Sequence, residues 1–222
     1  MTNTSTQHAN IAHDGTKLST IEMNRLTVEE FHNAEKMPLI VVLDNVRSLY
    51  NVGSVFRSSD AFRVQSIYLC GITATPDDVI EDGITVKQCS MKAAQEIHKT
   101  ALGAEESVNW RYFSDTADAV KALKNDGFTV LAIEQCHGSI MLNDFHPYST
   151  STQKSDTKDD SAGEPHRKPY AIILGNEVKG VRQDVIDMCD GCIEIPQYGT
   201  KHSLNVSVTA GILIWHFASA MQ

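Results

Sequence analysis

Apolar residues fall along this chain in short, separated runs. Leu39-Ile40-Val41-Val42-Leu43 is a continuous apolar run of strand length, the pattern of a strand covered on both faces. It ends at Asp44-Asn45. From Asn51 onward Val52, Val55, Phe56 and Phe62 recur at helical spacing, which predicts a helix over about 51–62 with Asn51 near its cap. The alternation then repeats, with strands expected at 66–70, 128–133, 170–174 and 192–195 and helices at 116–123 and 181–188. Strands alternating with helices define the fold class: α/β, a parallel sheet with helices on both faces. The last helix, 204–217, is apolar nearly all round (Val206, Val208, Ile212, Leu213, Ile214, Trp215, Phe217), which fits burial inside the monomer or a subunit interface.

Polar stretches set the boundaries. Residues 1–20 are unpatterned, 21–36 suit a short helix packed on the body, and the core is expected to begin near Pro38. Ser149 to Ser161 offers no apolar side chain to bury, so a disordered surface insert is expected at about 149–168. The division is therefore an N-terminal extension, 1–37, partly disordered, and one domain, 38–222. With 222 residues and 41% hydrophobic composition, that domain can bury a core. No apolar run approaches the roughly twenty residues of a bilayer span, and the polar amino terminus has no signal-peptide core, so the expectation is a cytoplasmic protein without membrane contact.

Five cysteines, odd in number and set among apolar neighbours, suit reduced thiols. Only Cys189-Asp190-Gly191-Cys192 has ligand-like spacing; without a second half-site it reads as a helix-to-strand junction rather than a metal site. The formal charge of −9 argues against indiscriminate coating of nucleic acid, yet Arg47, Arg57 and Arg63 fall together in one loop-helix segment and leave a focused basic patch open.

Candidate chemistry concentrates in three loops. The dinucleotide fingerprint G-x-G-x-x-G is missing after every predicted strand, as is the Walker phosphate loop, which removes a nicotinamide oxidoreductase and a phosphate-loop enzyme. In the first loop, Asn51, Gly53 and Arg57 surround one helix start. Gly53 and Arg57, four apart, share a face; the glycine leaves room beside the arginine stem for a large partner, and a guanidinium fork suits phosphate. By itself the segment is equally an arginine on a solvated helix face. The second loop, Leu174-Gly175-Asn176-Glu177-Val178-Lys179-Gly180, and the third, Ile195-Pro196 with Ser203-Leu204-Asn205-Val206-Ser207-Val208, each follow a predicted strand, where backbone groups are free to bind ligands.

In order and spacing, Asn51-x-Gly53-x-x-x-Arg57, Leu174-Gly175-Asn176-Glu177-x-x-Gly180 and Ile195-Pro196 with Ser203 to Val208 resemble the three motifs of the SPOUT-class TrmH (SpoU) family of RNA ribose 2′-O-methyltransferases. The resemblance runs from about Pro38 to Phe217, excluding the insert. It implies a C-terminal trefoil knot, a homodimer, S-adenosylmethionine as cofactor, and tRNA or rRNA as substrate. It also implies site roles: Arg57 as catalytic arginine, with Asn51, Glu177, Ser203 and Asn205 beside it; Gly175, Ile195 and Leu204 holding the cofactor, with Glu134 another candidate on the pocket wall. No metal is needed.

Departures from the family pattern matter as well. No RNA-binding module stands ahead of Pro38, which tilts the reading towards tRNA. Pro76 to Ala94 reads as an acidic insertion near the substrate face; His98 to Ala104 either touches RNA or is an ordinary helix-to-turn segment. The competing reading is a catalytically inactive knotted RNA-binding protein, which would be expected to lack Arg57 or the Ser203/Asn205 pair.

Overall fold

A capping box starts the first ordered element: the Thr27 hydroxyl accepts from Glu30 N–H while the Glu30 carboxylate accepts from Thr27 N–H. Helix α1 (Val28–Asn33) is therefore shorter than the 21–36 expected, and it buries Phe31 in the core. The computed structural model describes residues 15–19, 22–148 and 168–221. The expected insert at 149–168 falls, but for Lys168, outside the described residues, as do residues 1–14.

Strand β1 (Met37–Asp44) leads to α2 (Leu49–Ala61) and β2 (Val64–Cys70). A hairpin follows, β3 (Val79–Glu81) and β4 (Ile84–Lys87), then α3 (Met91–Ala101), α4 (Ala104–Ser107) and β5 (Trp110–Phe113). Next come α5 (Thr116–Asn125), β6 (Thr129–Ile133) and the two-residue β7 (Ile140–Met141). The chain closes with β8 (Tyr170–Leu174), α6 (Gln183–Ile186), β9 (Gly191–Glu194) and α7 (Val206–Ser219).

The main sheet has the order β5-β2-β1-β8-β6-β9-β7, and all its pairings are parallel. From β1 the chain winds outward through β2 to β5, then crosses over to lay down β6, and β8 later fills the slot between β1 and β6. Such a reversal of winding direction opens a crevice at the carboxyl ends of the strands, where ligands bind in open α/β sheets.

Both faces of the sheet are buried, so the central strands are apolar over most of their length, β1 from Met37 to Leu43 and β8 from Tyr170 to Leu174. Along β1, Leu39, Val41 and Leu43 join the cluster formed with α2, α3 and α7, while Ile40 and Val42 join the one under α5 and α6. Phe56 of α2 and Phe217 of α7 are fully buried in the first cluster; truncation of such a ring to alanine costs about 3–5 kcal/mol.

The structure corrects the sequence reading in several places. The cap of α2 is Ser48, whose hydroxyl accepts from Asn51 N–H at 3.3 Å, so Asn51 lies in the first turn with its amide free for other work. Gly53 is not room for a ligand. It is buried, and an added Cβ would overlap the Ile97 carbonyl oxygen and the Thr100 hydroxyl of α3, so the glycine lets two helices pack backbone to backbone. The segment 76–94, expected as an acidic insertion, folds as the β3–β4 hairpin and the start of α3. Asp82 and Gly83 hold its turn with φ of 49° and 77°, and Lys87 pins it to the body, donating to the Gly71 carbonyl at 2.8 Å with its ammonium 4.2 Å from the Tyr112 ring centre. The helix expected over 181–188 shrinks to four residues. The apolar α7 is buried on one side only: Leu213, Ile214 and Phe217 are inside, while Val208 and Trp215 are 51% and 55% exposed.

Candidate cofactor pocket and its three loops

The loop after β8 is a tight turn built by glycine and asparagine. Asn176 and Gly180 exchange backbone hydrogen bonds at 3.1 and 2.9 Å, and the Asn176 side-chain oxygen accepts from Val178 N–H and Lys179 N–H within the turn. Gly180 has φ of 66° and lies against the Glu134 carboxylate, while a Cβ on Gly175 would collide with the Gly180–Val181 backbone. No larger residue fits either position.

Three anchors fasten this loop to the first one. The Asn176 amide donates to the Asn45 carbonyl at 2.7 Å. The Glu177 carboxylate accepts from Arg47 N–H at 3.0 Å and Ser48 N–H at 2.9 Å, two donors at the amino end of α2, where an anion is favoured. It also accepts from the Asn51 amide at 3.1 Å. Partial burial works the other way, but hydrogen bonds from these backbone groups and from Asn51 outweigh it and hold the Glu177 carboxyl below its ordinary range.

Asn51 then passes the connection to the third loop. Its side-chain oxygen accepts from the Asn205 amide at 3.1 Å, and Asn205 in turn caps α7 by accepting from Ser207 N–H and Val208 N–H. One residue from each of the three sequence motifs thus stands in a single hydrogen-bonded chain, Glu177–Asn51–Asn205.

Beside that chain lies a cavity of about 1020 Å³ at the carboxyl ends of β6, β8 and β9. Glu134, Gly175, Ile195 and Leu204 line it, as do Glu177, Ser203 and Asn205. Seven of the nine residues singled out from sequence therefore share one wall. Asn51 reaches it through its partners. Arg57 does not: it is exposed on α2, outside the lining, with no hydrogen bond or ion pair among the described residues.

Glu134 and its neighbour fix the wall of the cavity. The Glu134 carboxylate accepts from Val181 N–H at 3.1 Å and Gln135 N–H at 2.9 Å, and the Gln135 amide donates to the His202 carbonyl at 3.0 Å. The two late loops are thereby tied to the end of β6. Sequence reasoning missed Gln135, and missed Asn176 as a site residue, although an asparagine between a glycine and a turn is the residue type that folds its amide back on the backbone. It missed as well that Cys192 faces Cys136, with sulfurs 3.2 Å apart, while Cys189 donates to the Val185 carbonyl. Burial, together with the neighbouring thiol, pushes Cys192 up to about 12. Among the described residues no group of three or more His, Cys, Asp or Glu side chains is placed to hold a metal ion, and no helix is long and apolar enough to cross a membrane.

The fold and cavity define an open parallel α/β domain that takes its ligand between glycine-built loops at a switch point of the sheet. A model of the SpoU rRNA Methylase family matches residues 79–215. The 23S rRNA (guanosine-2'-O-)-methyltransferase RlmB of Neisseria meningitidis is 27% identical over 192 residues, covering 86% of this chain and 62% of its own. The tRNA (guanosine(18)-2'-O)-methyltransferase of Thermus thermophilus is 26% identical over 194 residues, covering 87% of this chain and 81% of its own. The fold is shared with an AdoMet-bound rRNA methyltransferase from Sinorhizobium meliloti, with TM-score 0.61 and 20% identity over 86% of this chain and 60% of that one. The chain thus spans about three-fifths of some of these relatives. It belongs to the SpoU rRNA Methylase family.

Proposed function

We propose that this chain is an S-adenosylmethionine-dependent RNA ribose 2′-O-methyltransferase that works in the cytoplasm as a homodimer. The observation that carries the reading is that the second and third motifs line one cavity and the first is joined to them through the Glu177–Asn51–Asn205 chain. Relatives are named for tRNA and for rRNA, and the substrate proposed is a ribose of one of these two RNA classes. Membership of the SpoU rRNA Methylase family supports a C-terminal segment threaded as a trefoil knot.

The cavity suits the cofactor. Its lining includes the glycine-bearing loop after β8 and the loop after β9, with aliphatic Ile195 and Leu204, a surface that suits an adenosine face. Gly175, Ile195 and Leu204 would hold it, with Glu134 shaping the wall. Bound there, S-adenosylmethionine supplies an electrophilic methyl group on sulfur.

What remains for the protein is to position a ribose hydroxyl and manage its proton. Ser203 lines the cavity with its hydroxyl uncommitted among the described residues and can accept a hydrogen bond from the ribose. Glu177, Asn51 and Asn205 have their polar atoms engaged with one another, so they fix the mouth of the cavity rather than accept a proton. A guanidinium has five donors and no acceptor, so Arg57 clamps the phosphate beside the target ribose and stabilises developing negative charge on its oxygen. The proton passes to that phosphate or to a polar neighbour.

Arg57 stands outside its own chain's cavity, and the exposed Val208 and Trp215 of α7 leave an apolar stripe beside α2, with Trp215 edge-on to Phe62 at a centroid distance of 5.7 Å. Both support an arrangement in which α2 and α7 pack on a second copy and Arg57 serves the partner's cavity. The test is complementation. Arg57→Ala and Ser203→Ala homodimers should each be inactive towards RNA with cofactor affinity retained in Arg57→Ala, and mixing them should restore part of the activity. Absence of any recovery in demonstrated mixed dimers would refute donation across the interface.

A further inference from the structure

We infer that Tyr198 is a stacking platform for a nucleobase of the RNA seated at the cavity mouth, and that Lys179 and Lys201 take the flanking phosphates. The inference rests on the methyltransferase reading above and goes beyond it by naming the groups that grip the substrate.

Tyr198 is 96% exposed, more than any other large hydrophobic side chain among the described residues. Its place makes that exposure meaningful. Gln197 beside it lines the cavity, and the far end of the same loop is pinned where His202 accepts from Gln135. A ring held on an anchored loop one residue from the cavity costs little entropy to order on binding, and an aromatic face stacks on any base. Across the cavity Val178, 76% exposed, presents a second apolar surface from the loop after β8.

The cavity lining itself carries Glu134, Glu177, Asp187 and Glu194, so any grip on RNA phosphates falls to the cations of its loops, Lys179 on the lining and Lys201 beside it in the loop after β9. Elsewhere on this acidic chain, Lys99, Lys121, Lys124 and Arg182 are engaged with carboxylates and Lys36 and Lys87 with backbone carbonyls, while Arg25 and Arg57 are uncommitted among the described residues and lie outside the cavity lining. Lys179 and Lys201 are exposed and make no ion pair or side-chain hydrogen bond among the described residues, and the Arg47 guanidinium at the adjoining loop is equally uncommitted. Lys179 from the loop after β8 and Lys201 from the loop that carries Tyr198 are uncommitted cations available to phosphate on a protein whose formal charge is −9.

The experiment titrates the full chain with fluorescently labelled, unmodified tRNA transcripts and, in a parallel arm, with S-adenosylhomocysteine by calorimetry. Tyr198→Ala should weaken RNA binding roughly 5- to 100-fold, the range for loss of one stacked base, and raise KM for RNA more than it lowers kcat. Tyr198→Phe should stay within about 2-fold of wild type, because the ring and not the hydroxyl is used. Lys201→Gln should reduce the salt dependence of RNA binding by about one counterion. Affinity for S-adenosylhomocysteine should be the same in all four proteins. Alanine and wild type binding RNA equally, or phenylalanine failing as badly as alanine, would overturn the stacking role. A wild type that binds neither RNA nor S-adenosylhomocysteine would instead refute the underlying reading.

Discussion

Glu177 is the residue whose removal most directly probes how the loops are held together. Its carboxylate accepts three hydrogen bonds, from Arg47 N–H, Ser48 N–H and the Asn51 amide, at 3.0, 2.9 and 3.1 Å. In a dry interior each charged bond would contribute about 1.5–3 kcal/mol, but Glu177 is exposed and water can recover much of that, so Glu177→Ala should cost about 1–2 kcal/mol. For a chain of this size the loss corresponds to a fall in Tm of roughly 2–8 °C. Glu177→Gln keeps one acceptor oxygen and should lose about half as much. The sign of the pH effect follows from the depressed folded-state pKa. The contribution is fully present above the ordinary value of 4.5 and is lost as pH falls through the lower folded value. Urea melts of wild type and Glu177→Gln should therefore differ by a constant amount near neutrality and converge below 4.5. A gap of equal size at both ends of the pH range, or none at neutral pH, would show that the carboxylate does not hold the loops.

Two further substitutions test neighbouring parts of the frame. Gly53→Ala gains about 1 kcal/mol of helix propensity but forces α2 off the α3 backbone, so a net loss of about 1–2 kcal/mol is expected by calorimetry; a stabilised variant would show that the helices are not in close contact there. Asn205→Ala removes the α7 cap and should cost about 1 kcal/mol. Asn205→Asp keeps the cap yet sets a second carboxylate against Asn51, which already serves Glu177, so it should restore helix stability without restoring the geometry of the cavity mouth, read as cofactor affinity lower than wild type.

The central strands and the two core helices were legible because burial on both faces leaves β8 and β1 up to Leu43 apolar, while α2 shows an apolar stripe. The peripheral elements were not. The β3–β4 hairpin is exposed, with Ile80 and Ile84 at 63% and 68%, so its apolar residues lack the register that burial imposes, and acidic neighbours disguised the Asp82-Gly83 turn. Helix α3 buries only Ile97 and Ala101, too few for a readable stripe. At the site, residues whose side chains line the cavity were found from motif order, but Gly53 was misjudged because a glycine that admits a ligand and one that admits a helix look alike in sequence. Only the position of Ile97 and Thr100 separates them. Arg57 is legible as a type and not as a place, since its working position in the proposed arrangement lies in another copy of the chain.

The most direct test of the central claim is to incubate the full chain with methyl-labelled S-adenosylmethionine and unmodified tRNA and rRNA transcripts, digest the RNA, and identify the labelled nucleoside by mass spectrometry. A 2′-O-methylated nucleoside formed by wild type and absent with Arg57→Ala, at unchanged cofactor affinity, is the expected result. Label on a base, or no label from a wild type that binds the cofactor and RNA, would contradict ribose methylation at the cavity between Gly175 and Leu204.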